Sequence, residues 1–131
     1  MRHVNILVND FLRFLGERNL ERLTTLFAEK VDWYIPGDAD RAPWLGRREC
    51  REQVRDFFSL LWSVTEPVSA VIDHIAIDGE QAVITGQFST KMLATGRVVD
   101  SLFFIHMVVR DHQIIRYRLL EDSYAVSKSL R

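Results

Sequence analysis

The sequence predicts an α+β domain, with helices gathered on one side of a meandering antiparallel sheet. Three observations carry this. Apolar residues recur at helical spacing near the N-terminus and again from Arg47 to Trp62. From Val68 onward the pattern changes to β-branched and aromatic runs. Those runs are broken by Asp78-Gly79, a hairpin signal, and by the polar Arg110-Asp111-His112-Gln113.

The elements follow in order. Val4, Leu7, Val8, Phe11, Leu12 and Leu15 form the stripe of a first helix, with Gly16 as its stop. Asn19 stands where an N-cap belongs, and Leu20, Leu23, Leu26 and Phe27 make the stripe of a second helix. Val31 to Ile35 is a short strand ended by Pro36-Gly37. Residues 36 to 46 form a loop rich in Pro, Gly and Asp that must lie at the surface or rim a pocket. A third helix spans Arg47 to Trp62, with Cys50, Val54, Phe57, Phe58 and Leu61 on its apolar stripe, and Pro67 bars its continuation. Strands then run over 68–77, 81–90, 97–110 and 113–120, and Ser123 to Leu130 is a short helix or a tail. The order is ααβαββββ, in a single domain covering residues 1–131, without repeat or linker.

Composition narrows the function classes. A chain of 131 residues is long enough for a real core. A net charge of −1, with basic and acidic residues interspersed, gives no electrostatic footprint for nucleic acid or an anionic membrane. No apolar run is long enough to span a bilayer, and the N-terminal stretch has no uninterrupted apolar segment of signal-peptide type. One cysteine, Cys50, fits a reducing compartment, and a cytoplasmic location is expected. The four histidines have no metal-ligand spacing, and no nucleotide-loop or serine-hydrolase signature occurs, so neither metal nor cofactor is expected.

The chemistry-bearing candidates depend on side-chain direction. On the last strand Arg116, Arg118, Leu120 and Asp122 share one face, while Ile115, Tyr117, Leu119 and Glu121 share the other. An Asp122 carboxylate of restricted access would be a general base for removing a proton next to a carbonyl, with Arg118 within reach. Its structural alternative, a salt-bridged carboxylate or a cap for the tail with Ser123, is the stronger reading from residues alone. His106, mid-strand among apolar neighbours that include Phe104, is a core or interface histidine or else a donor to a substrate oxygen. His74 has the same two readings. Trp33 reads as core, Trp44 as a pocket rim or lid, and Tyr34 as a phenolic donor or a structural residue. Cys50 reads as packing.

Taken together, these residues resemble a known family. The element order, the fragment Val31-Asp32-Trp33-Tyr34-Ile35-Pro36-Gly37, and Pro43-Trp44-Leu45-Gly46 before the third helix are similar to SnoaL-like proteins. These are ketosteroid-isomerase-related, polyketide-cyclase-like members of the nuclear transport factor 2 superfamily. Thr95-Gly96-Arg97 and Arg116-x-Arg118-x-x-x-Asp122 fit as well. The resemblance implies a cone-shaped, curved antiparallel sheet packed on three helices (a cystatin-like roll), a deep apolar cavity, and a homodimer formed through the outer sheet face. It implies a small hydrophobic molecule, carbonyl-containing, as the partner. It also turns the Asp122 face toward the cavity, with Asp122 as acid/base, Arg118 as its partner, and His106 or Tyr34 donating to a developing oxyanion. Trp33, Trp44, Phe57 and Leu61 would shape the walls, with His74 and Phe104 also lining the site. Isomerase relatives carry their base just before the proline of the first-strand loop, where this chain has Ile35.

Overall fold

The structure is a computed structural model, which describes residues 2–131. Its elements are α1 (Arg2–Glu17), α2 (Leu20–Thr25), β1 (Phe27–Ile35), β2 (Gly46–Cys50), α3 (Arg51–Val64), β3 (Thr65–Asp78), β4 (Gln81–Met92), β5 (Val98–Arg110), β6 (Gln113–Glu121) and α4 (Ser123–Ser129). One six-stranded sheet has the order β2-β1-β6-β5-β4-β3. β3 through β6 form the expected antiparallel meander. β1 pairs with β6 in parallel, so the sheet is mixed rather than purely antiparallel.

Local chemistry explains the helical hairpin. Arg18 sits at φ 51 and so reverses the chain after α1, while the Asn19 side chain accepts from the Arg22 N–H at 3.2 Å and caps α2. The Arg18 guanidinium then donates to the Trp62 and Thr65 carbonyls at 3.2 and 3.1 Å. Those are carbonyls that the end of α3 would otherwise leave open.

Two boundaries differ from the sequence reading. Phe27 does not end the second helix. It opens β1, where it is fully buried and lies opposite Ile114 of β6. Residues 46–50 are a strand rather than the start of α3. Their alternating partial exposure, with no apolar face, gives no periodic signal. The segment extends because β1 offers it an antiparallel edge. Cys50 is therefore not on the helix stripe; it is the extended residue that precedes α3.

The core lies between α1, α3 and one face of the sheet. Aromatic rings hold it together. Trp33 stacks on Tyr117 at 4.2 Å between centroids, and Phe57 and Phe58 meet Trp33 edge-on at 4.8 and 5.7 Å. The register places inward residues in rows across the strands. Ala82, Met107, Tyr117, Trp33 and Arg48 form one row; Gly86, Phe103 and Glu121 form another. A Cβ on Gly86 would collide with the Val71 carbonyl oxygen and fall 2.8 Å from the Phe103 ring, so only glycine lets β3 and that ring approach β4 this closely.

Candidate functional site

The inward face of β6 is Tyr117, Leu119 and Glu121, not the face of Arg116, Arg118 and Asp122. Tyr117 is buried, whereas Arg116 and Leu120 are exposed. The alternation along the strand is as the sequence predicts, but its direction is opposite to the one the resemblance implied. Glu121, which sequence reasoning passed over, is thereby carried into the interior opposite Phe103.

Glu121 has the electrostatics of an enclosed carboxyl. Burial, aided by the neighbouring Asp122 carboxylate, raises it from 4.5 to about 7. Among the described residues no cation offsets that rise. Tyr117 shares this interior, and its phenol is pushed up by burial and further by the Glu121 charge. A carboxyl that titrates near neutrality can both take and give a proton under one set of conditions.

Asp122 has a different task. It leaves the ladder, is exposed, and caps α4: its Oδ1 accepts from the Ala125 N–H at 3.0 Å. Its own N–H donates to the buried Ser101 hydroxyl at 2.9 Å. α4 then returns Val126 to the core, and Ser127 donates to Asp38 of the 36–45 loop at 2.7 Å. Asp122→Ala is expected to cost about 1 kcal/mol through the lost cap, and Asp122→Asn much less. Urea midpoints of the two variants check this.

The other candidates sort by face. Arg118 does not reach Asp122; it grips the Asp32 carboxylate with both oxygens at 3.0 Å and the Asp32 carbonyl at 2.9 Å, on the outer face. That pairing holds Asp32 below the usual carboxylate range. His106 is also on the outer face, where its Nε2 lies 2.8 Å from Gln81 Oε1. Phe104 and His74 are exposed there and do not line the interior. Tyr34 is half-buried on the same outer side, under the Arg47 guanidinium at 4.3 Å. None of these five can act on a molecule inside the fold in this arrangement. Trp33, Trp44 and Phe57 are buried in the interior, with Leu61 partly buried against them.

Two buried donors find no acceptor among the described residues, Trp33 Nε1 and Arg48 Nε. Such orphans cost about 1–3 kcal/mol each and are uncommon in native interiors. A hollow of about 270 Å³ is lined by both residues. A wider one of about 560 Å³ lies between α2 and α3, walled by charged residues such as Glu21, Arg51, Glu52 and Arg55, and none of the predicted site residues reaches it. Among the described residues no three His, Cys, Asp or Glu side chains gather as a metal site would need, and no helix is long and apolar enough to cross a membrane.

The class of protein is that of an α+β fold in which helices pack on one face of a mixed sheet over an aromatic core, with Glu121 part-buried at the end of the last strand. The chain belongs to the SnoaL-like family: the SnoaL-like domain matches residues 8–117. A comparison with curated protein sequences finds no match. Solved structures share the whole fold. A nuclear transport factor 2-like protein of unknown function from Burkholderia pseudomallei superposes with a TM-score of 0.89 at 16% identity, covering 99% of this chain and 98% of that one. One from Burkholderia xenovorans gives 0.88 at 18% identity, over 100% and 98%. An LEH-like epoxide hydrolase from M. tuberculosis gives 0.77 at 15% identity, over 99% and 90%. At these identities the likeness is one of fold.

Proposed function

We propose that the chain is a cofactor-independent acid/base enzyme acting on a small hydrophobic carbonyl compound, of the isomerase, cyclase or dehydratase type, with Glu121 as the proton carrier. What supports this is the place of Glu121 on the inward face of β6, part-buried opposite Phe103, where burial raises its carboxyl to about 7. Near neutral pH half of such groups are bases and half are acids, the balance that proton transfer at carbon needs. Tyr117, buried on the same face of β6 and stacked on Trp33, gives that face its apolar character. Family membership supports the class of chemistry, because the SnoaL-like fold includes isomerases and cyclases.

The test is hydrogen–deuterium exchange at the carbon next to the carbonyl, followed by NMR for a panel of small cyclic ketones. Glu121→Gln is expected to lower exchange by about 10²–10⁴-fold, and Asp122→Asn to leave it within a few fold. Exchange that survives Glu121→Gln, or that falls instead with Asp122→Asn, would remove Glu121 from this role.

A second reading is a non-catalytic module, and the tight ring packing around Trp33 favours it. Under that reading ketones bind, if at all, without exchange in the wild type.

The outer sheet face supports a homodimer in either case. Val71, Val83, Leu102, Phe104 and Leu120 are all exposed on it, and contiguous exposed apolar side chains of this kind mark interaction surfaces. Sedimentation at micromolar concentration is expected to give a dimer, and Phe104→Glu a monomer; a monomeric wild type counts against it. The free Cys50 fits a reducing, cytoplasmic setting.

A further inference from the structure

β5 outruns β6. Their pairing ends with Phe103 opposite Glu121, while residues 98–102 of β5 run on beside β4 alone among the strands. On that stretch Val99 and Ser101 are buried, in step with Phe103, Ile105, Met107 and Val109. Ser101 is the polar member of an otherwise apolar inward row. A hydroxyl buried in such a row is costly unless it is hydrogen-bonded.

Ser101 is bonded in both senses. Its Oγ–H donates to the Leu102 carbonyl at 2.7 Å, which leaves its lone pairs for the Asp122 N–H at 2.9 Å. One more rung of the ladder would set Asp122 opposite Leu102. The hydroxyl takes the place of that rung, and the chain turns out of the sheet into α4, which packs against β5. The bonded N–H belongs to the peptide that joins Glu121 to Asp122. Holding that peptide plane holds ψ of Glu121, and backbone dihedrals decide which rotamers a side chain can adopt. Without the hydroxyl the Asp122 N–H loses its acceptor, and a strand end relieves that loss by fraying toward water. Glu121 is the first side chain that such fraying would carry out.

We propose that Ser101 is the positioning residue for Glu121: its hydroxyl ends β6 at Glu121 and holds that carboxyl on the inward face while Asp122 turns outward. This inference rests on the reading of Glu121 as the proton carrier and adds the residue that sets its place.

The experiment is a ¹³C NMR titration of the full chain labelled at the glutamate carboxyl carbon, with Glu121→Gln assigning the Glu121 signal. The wild-type midpoint is expected near 7, as burial dictates. Ser101→Ala should lower it by at least about one pH unit, tenfold in proton affinity, because the carboxyl reaches water. Ser101→Thr keeps the hydroxyl on a residue that suits a strand, and should restore the wild-type midpoint. An alanine variant that melts earlier but titrates like the wild type would show that Ser101 only stabilises the fold, and overturns the proposal. So does a threonine variant that behaves like the alanine one. If Ser101→Ala fails to fold, amide hydrogen exchange in the wild type decides. The Asp122 amide should be protected like the ladder amides of β6, and exchange at the rate of an open strand end overturns the proposal. A midpoint that depends on Ser101, with no ketone exchange, refutes the acid–base reading alone. Ketone exchange that depends on Glu121, with a midpoint indifferent to Ser101, refutes the positioning role alone.

Discussion

Glu121→Gln is expected to stabilise the protein at pH 8 by on the order of 3 kcal/mol, while leaving it close to the wild type at pH 4. The carboxyl is raised from 4.5 to about 7 on folding. Below 4.5 it is protonated in both states, and folding is indifferent to it. Between 4.5 and 7 the unfolded chain gives up the proton and the folded chain keeps it, so stability falls as pH rises through that window. Above 7 the folded carboxylate is ionised too, and the loss is complete. A glutamine carries no such loss. In thermal terms the gain at pH 8 is about 10 °C for a domain of this size. Asp32 and Asp38 shift the other way, lowered by their hydrogen bonds to Arg118 and Ser127, so their contribution disappears at more acid pH. Subtracting wild-type from variant melting curves across pH 4 to 8 cancels it and isolates Glu121. A variant no more stable than the wild type at pH 8 would mean that the carboxyl is hydrated or paired, and the proton-transfer role would fall with it. A residue that destabilises the fold under working conditions but supplies a proton there is the trade-off expected of an active site.

That carboxyl shows where the sequence is legible and where it is not. Strand parity separates Glu121 from Asp122 correctly, since a period of two admits nothing else. Which face turns inward is a tertiary fact. The composition of the faces already held a signal: Arg116 and Arg118 lie with Asp122, and Tyr117 and Leu119 with Glu121. Two arginines on one face of a strand belong outside unless paired, and here one is exposed and the other binds an exposed aspartate. The resemblance to cyclase relatives outweighed that signal and placed the wrong acid in the interior. β2 was illegible for another reason. Gly46-Arg47-Arg48-Glu49-Cys50 has no periodic apolar face and good helix formers, and it is a strand only because β1 needs an edge partner. The unpaired N–H groups of Trp33 and Arg48 have no sequence signature at all. They arise where two strands place Trp33 opposite Arg48, which depends on both strands at once.

Phe27→Ala is expected to cost about 3–5 kcal/mol, a large share of the roughly 5–15 kcal/mol that holds a domain folded. The side chain is fully buried. Its ring meets those of Phe11 on α1, Trp33 on β1, Phe58 on α3 and Tyr117 on β6, at 5.7 to 6.4 Å between centroids. Four rings anchored on four elements cannot all move into one cavity, so relaxation is poor and the cost lies at the upper end of the range. The backbone there is fixed as well: the Phe27 carbonyl accepts from Arg51 Nε at 2.8 Å, and Ile114 N–H donates to the Leu26 carbonyl at 2.8 Å. Urea unfolding should show a lower midpoint at an unchanged slope. The control is the same substitution at Phe104, which is 53% exposed on the outer face. In a monomer Phe104→Ala should change stability by less than about 0.5 kcal/mol. In a dimer it should lower stability in a way that protein concentration restores. A loss under about 1.5 kcal/mol for Phe27→Ala would show that the ring cluster collapses freely. The stacked Trp33 and Tyr117, which meet the same ring, would then be loosely held as well. Phe27→Ala therefore tests how rigidly the aromatic interior is held.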